Sequence, residues 1–186
     1  MDRNSLSVVP SNSLNGPLSL SILSLRNNHI SFVRSGAFAA QPELEKIDLR
    51  YNRINQLESD AFGQLTQIKE IFLAGNRLSR MNSDVFEGIR SLQKLDLSEN
   101  FFINFPVVAL REIENLKVLN LSSNMIKKLD ATYLSSMKAL QILDLSRNGL
   151  TSIPPATFRE QKNLRFLDLS LNSLRTVKKK SFLYVF

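Results

Sequence analysis

Apolar residues recur along this chain in columns that repeat every 24 residues, and polar residues keep equally regular positions between them. In each period one short segment alternates apolar and polar side chains, as in KLDLS and FLDLS. That two-residue alternation predicts a β-strand with one buried face. The wider apolar spacing after each segment indicates a loose, irregular or short helical return. We therefore predict a solenoid whose neighbouring periods place their strands side by side in a parallel sheet.

One asparagine marks every period without insertion or deletion: Asn4, Asn28, Asn52, Asn76, Asn100, Asn124, Asn148 and Asn172. Its side chain offers both a hydrogen-bond acceptor and amide donors at the point where the chain turns out of the strand. We expect each asparagine to pair with backbone groups of its own loop and of the next turn. Left buried and unpaired, each such group would cost about 1–3 kcal/mol. These residues are therefore predicted to be scaffold rather than ligand contacts.

The columns together read L-x-x-L-x-L-x-x-N-x-L or close to it, as in LQKLDLSENFF at residues 92–102 and LQILDLSRNGL at residues 140–150. This motif resembles the leucine-rich repeat, and the resemblance covers essentially the whole chain. The second half of the unit, as in LTSIPPATFREQKNL at residues 150–164, resembles the typical 24-residue subtype with its phenylalanine column. The resemblance implies an α/β solenoid, a horseshoe with a concave parallel sheet of about seven strands and an irregular or short helical convex side.

The subtype also implies a location and a kind of function. Its repeats are similar to those of Toll-like receptors, Slit and chaoptin, which implies part of an extracellular or cell-surface receptor or adhesion molecule that binds a protein ligand. A cytoplasmic adaptor or scaffold with the same fold stays open as an alternative. We expect residues 1–186 to form a single solenoid of about seven repeats, cut mid-repeat at both ends and without caps. The chain has no 18-residue apolar run, so this segment should not insert into a membrane.

Residues that could carry chemistry are scarce. The chain has no cysteine and one histidine, His29, and it contains neither a glycine-rich phosphate loop nor acidic residues at calcium-loop spacing. We therefore predict no enzyme activity, no cofactor and no metal site. Aspartates recur at one strand position, in Asp48, Asp96, Asp144 and Asp168. We expect them to be solvated and to hydrogen-bond the serine column beside them.

The concave face is the predicted working surface. Side chains six, four and two residues before each asparagine, and the one after it, should point there. Over the first three strands this set holds five basic and two acidic residues, whereas over the last four it holds one basic and three acidic. Tyr51, Phe72 and Phe101 are expected to be exposed there, and aromatic and arginine side chains are the usual interface anchors. We predict that a protein ligand docks on the second to fourth strands through Lys46, Arg50, Tyr51, Arg53, Phe72, Arg77 and Phe101.

The formal net charge of +7 brings anionic partners into consideration. Because the basic residues do not share one face and lack interleaved aromatic residues, we predict no nucleic-acid binding, while anionic glycan binding stays open. One N-x-S sequon, Asn120-Leu121-Ser122, lies within a predicted strand on the concave side. Asn120 is therefore a candidate for N-glycosylation, with chance occurrence as the alternative.

Overall fold

The computed structural model describes residues 1–15, 19–177 and 179–182. Within these residues the chain coils through eleven short strands, one short α-helix and two 3-10 helices. The helix α1 spans Val107–Leu110, and the 3-10 helices span Ser11–Leu14 and Lys179–Ser181. In chain order the strands are β1 Ile22–Ser24, β2 Phe32–Val33, β3 Lys46–Asp48, β4 Gln56–Leu57, β5 Glu70–Phe72, β6 Lys94–Asp96, β7 Val118–Asn120, β8 Ile142–Asp144, β9 Ser152–Ile153, β10 Phe166–Asp168 and β11 Thr176–Val177.

Seven of these strands form one parallel sheet in the order β1-β3-β5-β6-β7-β8-β10. Equivalent residues of successive repeats pair, as Leu23 does with Ile47 and Leu95 with Leu119. The sheet forms because the repeat length is constant, so each turn of the coil brings the same column back into register. The predicted α/β solenoid with a seven-stranded parallel sheet is confirmed.

The return segments are irregular and short, as predicted. Four short strands in these segments also form two minor sheets on the outer side, in which β2 pairs with β4 and β9 pairs with β11. The single short helix α1 lies in the return that follows β6. The expected end of the last repeat falls on residues 183–186, which lie outside the described residues.

The hydrophobic core lies between the sheet and the return segments, and each repeat contributes to it from the same columns. The phenylalanine column stacks Phe38, Phe62 and Phe86, with neighbouring ring centroids 5.6 and 5.8 Å apart. Further along, where leucine takes that column, Phe105 and Tyr133 stack instead at 5.6 Å. These rings bury large apolar areas that a single repeat could not cover, which makes the repeats depend on their neighbours.

Each buried asparagine links two turns of the coil. Asn76 donates from Nδ2 to the carbonyls of Leu73 at 2.9 Å and Leu49 at 3.0 Å, and its Oδ1 accepts from the amide of Ile54 at 2.9 Å. The same pattern recurs from Asn28 to Asn172. Pairing within the asparagine's own loop is confirmed. The predicted pairing with the next turn was wrong, because each side-chain amide instead reaches back to backbone groups of the preceding turn.

The residue before each asparagine adopts a left-handed backbone conformation, with φ between 53° and 67° from Arg3 to Leu171. Only Gly75 among these eight positions is a glycine, and the conformation costs other residues about 1–2 kcal/mol. The amide of each such residue in the sheet region donates to the following repeat, as Tyr51 does to Ala74 at 2.9 Å. This hydrogen bond between repeats offsets the cost and leaves the Tyr51 side chain exposed at the end of its strand.

Candidate functional site

The predicted ligand-binding residues lie on the sheet face opposite the core and at the turn that ends each strand. In β3 the side chain of Ile47 is buried in the core, whereas Lys46 is partly exposed on the other face. Lys46 and Arg50 converge on Phe72 from the neighbouring strand, while Arg53, Arg77 and Phe101 occupy the position after the asparagine in three successive repeats. The structure therefore brings the predicted residues together on one surface, which consists of the sheet face and the more exposed turns that end the strands.

Phe72 differs from its prediction, because its side chain is only 6% exposed. Three cationic groups cover its ring: Lys46 Nζ lies 4.9 Å, Arg50 Cζ 5.0 Å and Lys94 Nζ 5.1 Å from the ring centroid. Lys46 and Lys94 reach it because β3 and β6 flank β5, and their alkyl chains lie along the apolar ring while the charges stay at the surface. Phe72 is thus a platform that orders cations, and its predicted exposure was wrong.

Lys94 is a member of this cluster that the sequence prediction did not single out. It occupies the same strand position as Lys46 and Glu70, since β3, β5 and β6 are in register. A signal was present in the sequence: a lysine in the same column on each side of a strand that carries Phe72. Glu70 forms an ion pair with Lys46 at 3.1 Å, so within the described residues the Lys94 ammonium has the Phe72 ring but no carboxylate.

Asp48 and Arg50 form a forked ion pair under this surface. Arg50 Nε donates to both carboxylate oxygens at 2.9 and 3.1 Å, and Nη2 donates to Oδ2 at 2.5 Å. The hydrogen bond to Asp48 raises the pKa of Arg50 above its ordinary value, so the guanidinium stays charged. Asp48 was expected to be solvated beside a serine, which was wrong: it is buried, because an arginine stands where later repeats have serine.

The later aspartates behave as expected toward the serine column. Asp96 accepts from the amide and the hydroxyl of Ser98, the latter at 2.7 Å. Asp144 and Asp168 accept from the serine amides two residues on, at 2.9 and 2.8 Å. The amide hydrogen bond lowers the pKa of Asp168 below its ordinary value. These carboxylates are therefore engaged with the backbone of their own strands.

Tyr51 is exposed, as predicted, and packs against residues of both neighbouring repeats. Its ring lies against Gly75 of the next repeat, where an added Cβ would come within 2.4 Å of Tyr51 Cδ1. On the side of the preceding repeat, Arg26 Cζ lies 5.0 Å from the centroid of the Tyr51 ring. The Tyr51 ring therefore occupies space that a side chain at position 75 would need, although the residue is 40% exposed.

The edge formed by the position after each asparagine changes character along the coil. Arg53 and Arg77 are exposed there, and Phe101 and Met125 follow in the next two repeats at 50% and 42% exposure. Met125 was not singled out from the sequence, although its column position was known. His29 precedes the two arginines in the same column and is exposed as well. The edge is thus basic at its start and apolar in its middle.

The other end of the concave face carries an apolar stripe. Val118, Ile142 and Phe166 are in register at the first positions of β7, β8 and β10, and Ile142 and Phe166 are exposed. Asn120 ends β7, and its Oδ1 accepts from the amide of Ser122 at 2.9 Å. Glycosylation at Asn120 stays a prediction, and a glycan there would extend from the middle of the sheet.

Across residues 1–15, 19–177 and 179–182, no group of three or more His, Cys, Asp or Glu side chains is placed to hold a metal ion. In that same part of the chain, no helix has the length and apolar character needed to cross a membrane.

The family described as Leucine rich repeat matches the chain over residues 1–54, 42–102, 95–150 and 138–184. No curated protein matches it in sequence at a significant level. TLR13 in complex with ssRNA13 is a similar solved structure, with a TM-score of 0.84 and 26% identity over 87% of this chain. This chain spans only 23% of the length of that TLR13 chain.

Two further solved structures are similar. Human 5T4 (Wnt-activated inhibitory factor 1, Trophoblast glycoprotein) has a TM-score of 0.82 and 26% identity, over 98% of this chain and 70% of that one. An internalin, InlF from Listeria monocytogenes, has a TM-score of 0.69 and 22% identity, over 89% of this chain and 45% of that one. At that identity the internalin supports the fold alone.

Proposed function

We propose a function from the premise that this chain belongs to the leucine-rich-repeat family, whose repeats form protein-interaction modules. The chain is a recognition module that acts as a single solenoid over residues 1–186. It binds a protein ligand on its concave face, across β3 to β6, and it carries out no catalysis of its own. Its predicted contacts are Lys46, Arg50, Tyr51, Arg53, Arg77 and Phe101, with Phe72 holding the cations above it in place.

One observation carries this proposal: several side chains of this surface pack against one another on the exposed face. Tyr51 lies between Arg26 and Gly75, and three cationic groups lie within 5.1 Å of the Phe72 ring centroid. Binding normally costs about 0.5–1.5 kcal/mol for each flexible side chain that becomes immobilised. Side chains that already pack against neighbours have less conformational freedom to lose, so this surface avoids part of that cost.

The location we propose is the cell surface or the extracellular space, as part of a receptor or adhesion molecule. Support comes from the similarity to human 5T4, which its name describes as a glycoprotein, over 98% of this chain. A cytoplasmic adaptor is the alternative. Labelling intact cells with a membrane-impermeant biotin reagent separates the two, because only a surface protein is labelled before lysis. Labelling that appears only after lysis would overturn the surface assignment.

The binding function is tested by screening the chain against an array of purified receptor and adhesion ectodomains. Each binder is then retested with a Tyr51→Ala/Phe101→Ala variant and with Lys127→Ala/Lys128→Ala, a control that removes exposed side chains from a return segment. We expect at least one ectodomain whose affinity falls about tenfold or more in the first variant, since aromatic anchors contribute about 2 kcal/mol. An array without a binder, or binders that respond only to the control, would overturn the proposal.

A further inference from the structure

The cations of the concave face fall into two groups that differ in what already neutralises them. Lys46 is paired with Glu70, and Arg50 is paired with Asp48. The second group consists of three cations that form no ion pair with a carboxylate within the described residues: Arg53, Arg77 and Lys94. Arg26 belongs to neither group, because the Asp2 carboxylate lies close enough to interact with its charge and its Nε is buried. The surface therefore carries donors that the fold itself leaves unused.

These three cations lie in the repeat of β5 and in the repeats on either side of it. Arg53 and Arg77 hold the same position in adjacent repeats, so their backbones lie about 5 Å apart. Arg26 lies against one side of Tyr51, and Lys94 lies over Phe72 two strands away. Between them, β5 leads into Ala74 and Gly75, the smallest pair at these positions in the sheet. Because the Tyr51 ring lies over Gly75, a chain segment crossing the sheet here would meet an exposed aromatic ring beside unpaired cations.

We infer that this surface binds an acidic segment of a polypeptide, whose carboxylates pair with Arg53, Arg77 and Lys94. The inference rests on the proposed function and names the chemistry of its protein ligand. Two of the three cations are guanidinium groups, which bind carboxylates through two parallel hydrogen bonds.

The arrangement of charge favours spaced carboxylates over a continuous polyanion. Glu70, Asp96 and Glu99 are interspersed among the cations, so a sulfated glycan with charge at every unit would also face like charge. Single-stranded nucleic acid binds by stacking bases on free aromatic faces. The Phe72 face is already occupied by cations, which leaves Tyr51 as the exposed ring of this cluster.

The test uses a fluorescein-labelled peptide of about eight residues, long enough to cross four strands at about 3.3 Å per residue, in which glutamate alternates with serine. A matched peptide with glutamine in place of glutamate is the neutral control. Fluorescence anisotropy measures binding to the whole chain, to Arg53→Ala/Arg77→Ala and to Lys127→Ala/Lys128→Ala, each of which removes two exposed positive charges. Circular dichroism and thermal melting confirm that both variants fold.

We expect the acidic peptide to bind at low ionic strength, to weaken at physiological salt, and to lose about tenfold in affinity in the arginine variant only. Equal binding of the glutamine peptide, equal loss in both variants, or no binding at all would overturn the inference. Tighter binding of a heparin-derived oligosaccharide or of single-stranded RNA through the same arginines would overturn it in favour of those ligands. An ectodomain that depends on Tyr51 and Phe101 but not on the arginines would overturn it while leaving the proposed function standing.

Discussion

Replacing Asn76 by alanine tests how the asparagine series stabilises the coil. The change removes the acceptor of the Ile54 amide at 2.9 Å and the donor to the carbonyls of Leu49 and Leu73 at 3.0 and 2.9 Å. Ile54 and Leu49 are fully buried, so water cannot replace the lost partners. Only the Ile54 amide is left without a partner, at a cost of about 1–3 kcal/mol, because the Leu49 and Leu73 carbonyls keep hydrogen bonds from Asn52 and Asn100, both at 3.0 Å. With the two weakened carbonyls added, we expect the free energy of unfolding to fall by about 2–4 kcal/mol.

The matched control is the same substitution at Asn4, where the side chain donates to two exposed carbonyls, those of Met1 and Asp2, both at 3.1 Å. Water can take over there, so the cost should stay below about 1 kcal/mol. A third variant, Asn76→Asp, keeps an acceptor for Ile54 but turns a carboxylate oxygen toward the Leu49 and Leu73 carbonyls. It should be destabilised at least as much as alanine, although its volume hardly changes.

Urea unfolding followed by circular dichroism provides the measurement. The slope m is compared first, because repeat arrays can lose cooperativity and a change in m would invalidate the comparison of free energies. With m unchanged, a loss at Asn76→Ala within about 1 kcal/mol of the Asn4→Ala value would refute the reasoning. It would mean that the buried amide network is satisfied in some other way.

Two more perturbations follow from close contacts. Gly75→Ala should destabilise the protein more than Gly36→Ala, although both glycines have positive φ. The added Cβ at Gly75 would lie 2.4 Å from Tyr51, whereas at Gly36 the nearest atom would be 3.9 Å away. Adding Tyr51→Ala should restore most of the difference, and no rescue in thermal melting would disprove the contact. Phe62→Ala should cost about 3–5 kcal/mol because it leaves a cavity between two stacked rings, whereas Phe101→Ala at the exposed edge should change urea stability by less than about 0.5 kcal/mol.

The candidate site could be located from the sequence but not described in detail. The column positions put Lys46, Arg50 and Arg53 on one surface, since a constant repeat length maps sequence position directly onto the sheet. They did not reveal that Phe72 is covered, because its cover comes from side chains of two flanking strands and depends on how far lysine and arginine reach. The same limit applies to Asp48, whose partner depends on an arginine that replaces the serine of later repeats.

The sequence by itself determined the strands, their register and the columns of the core. The reason is that each repeat contacts only its neighbours, so a constant period of 24 residues specifies which positions stack on one another. Only the tertiary structure decided the direction in which the asparagine amides reach, the fit of Tyr51 against Gly75, and which cations remain without a carboxylate. Those outcomes depend on which contacts the side chains of three adjacent turns make with one another, and the repeat pattern does not specify those contacts.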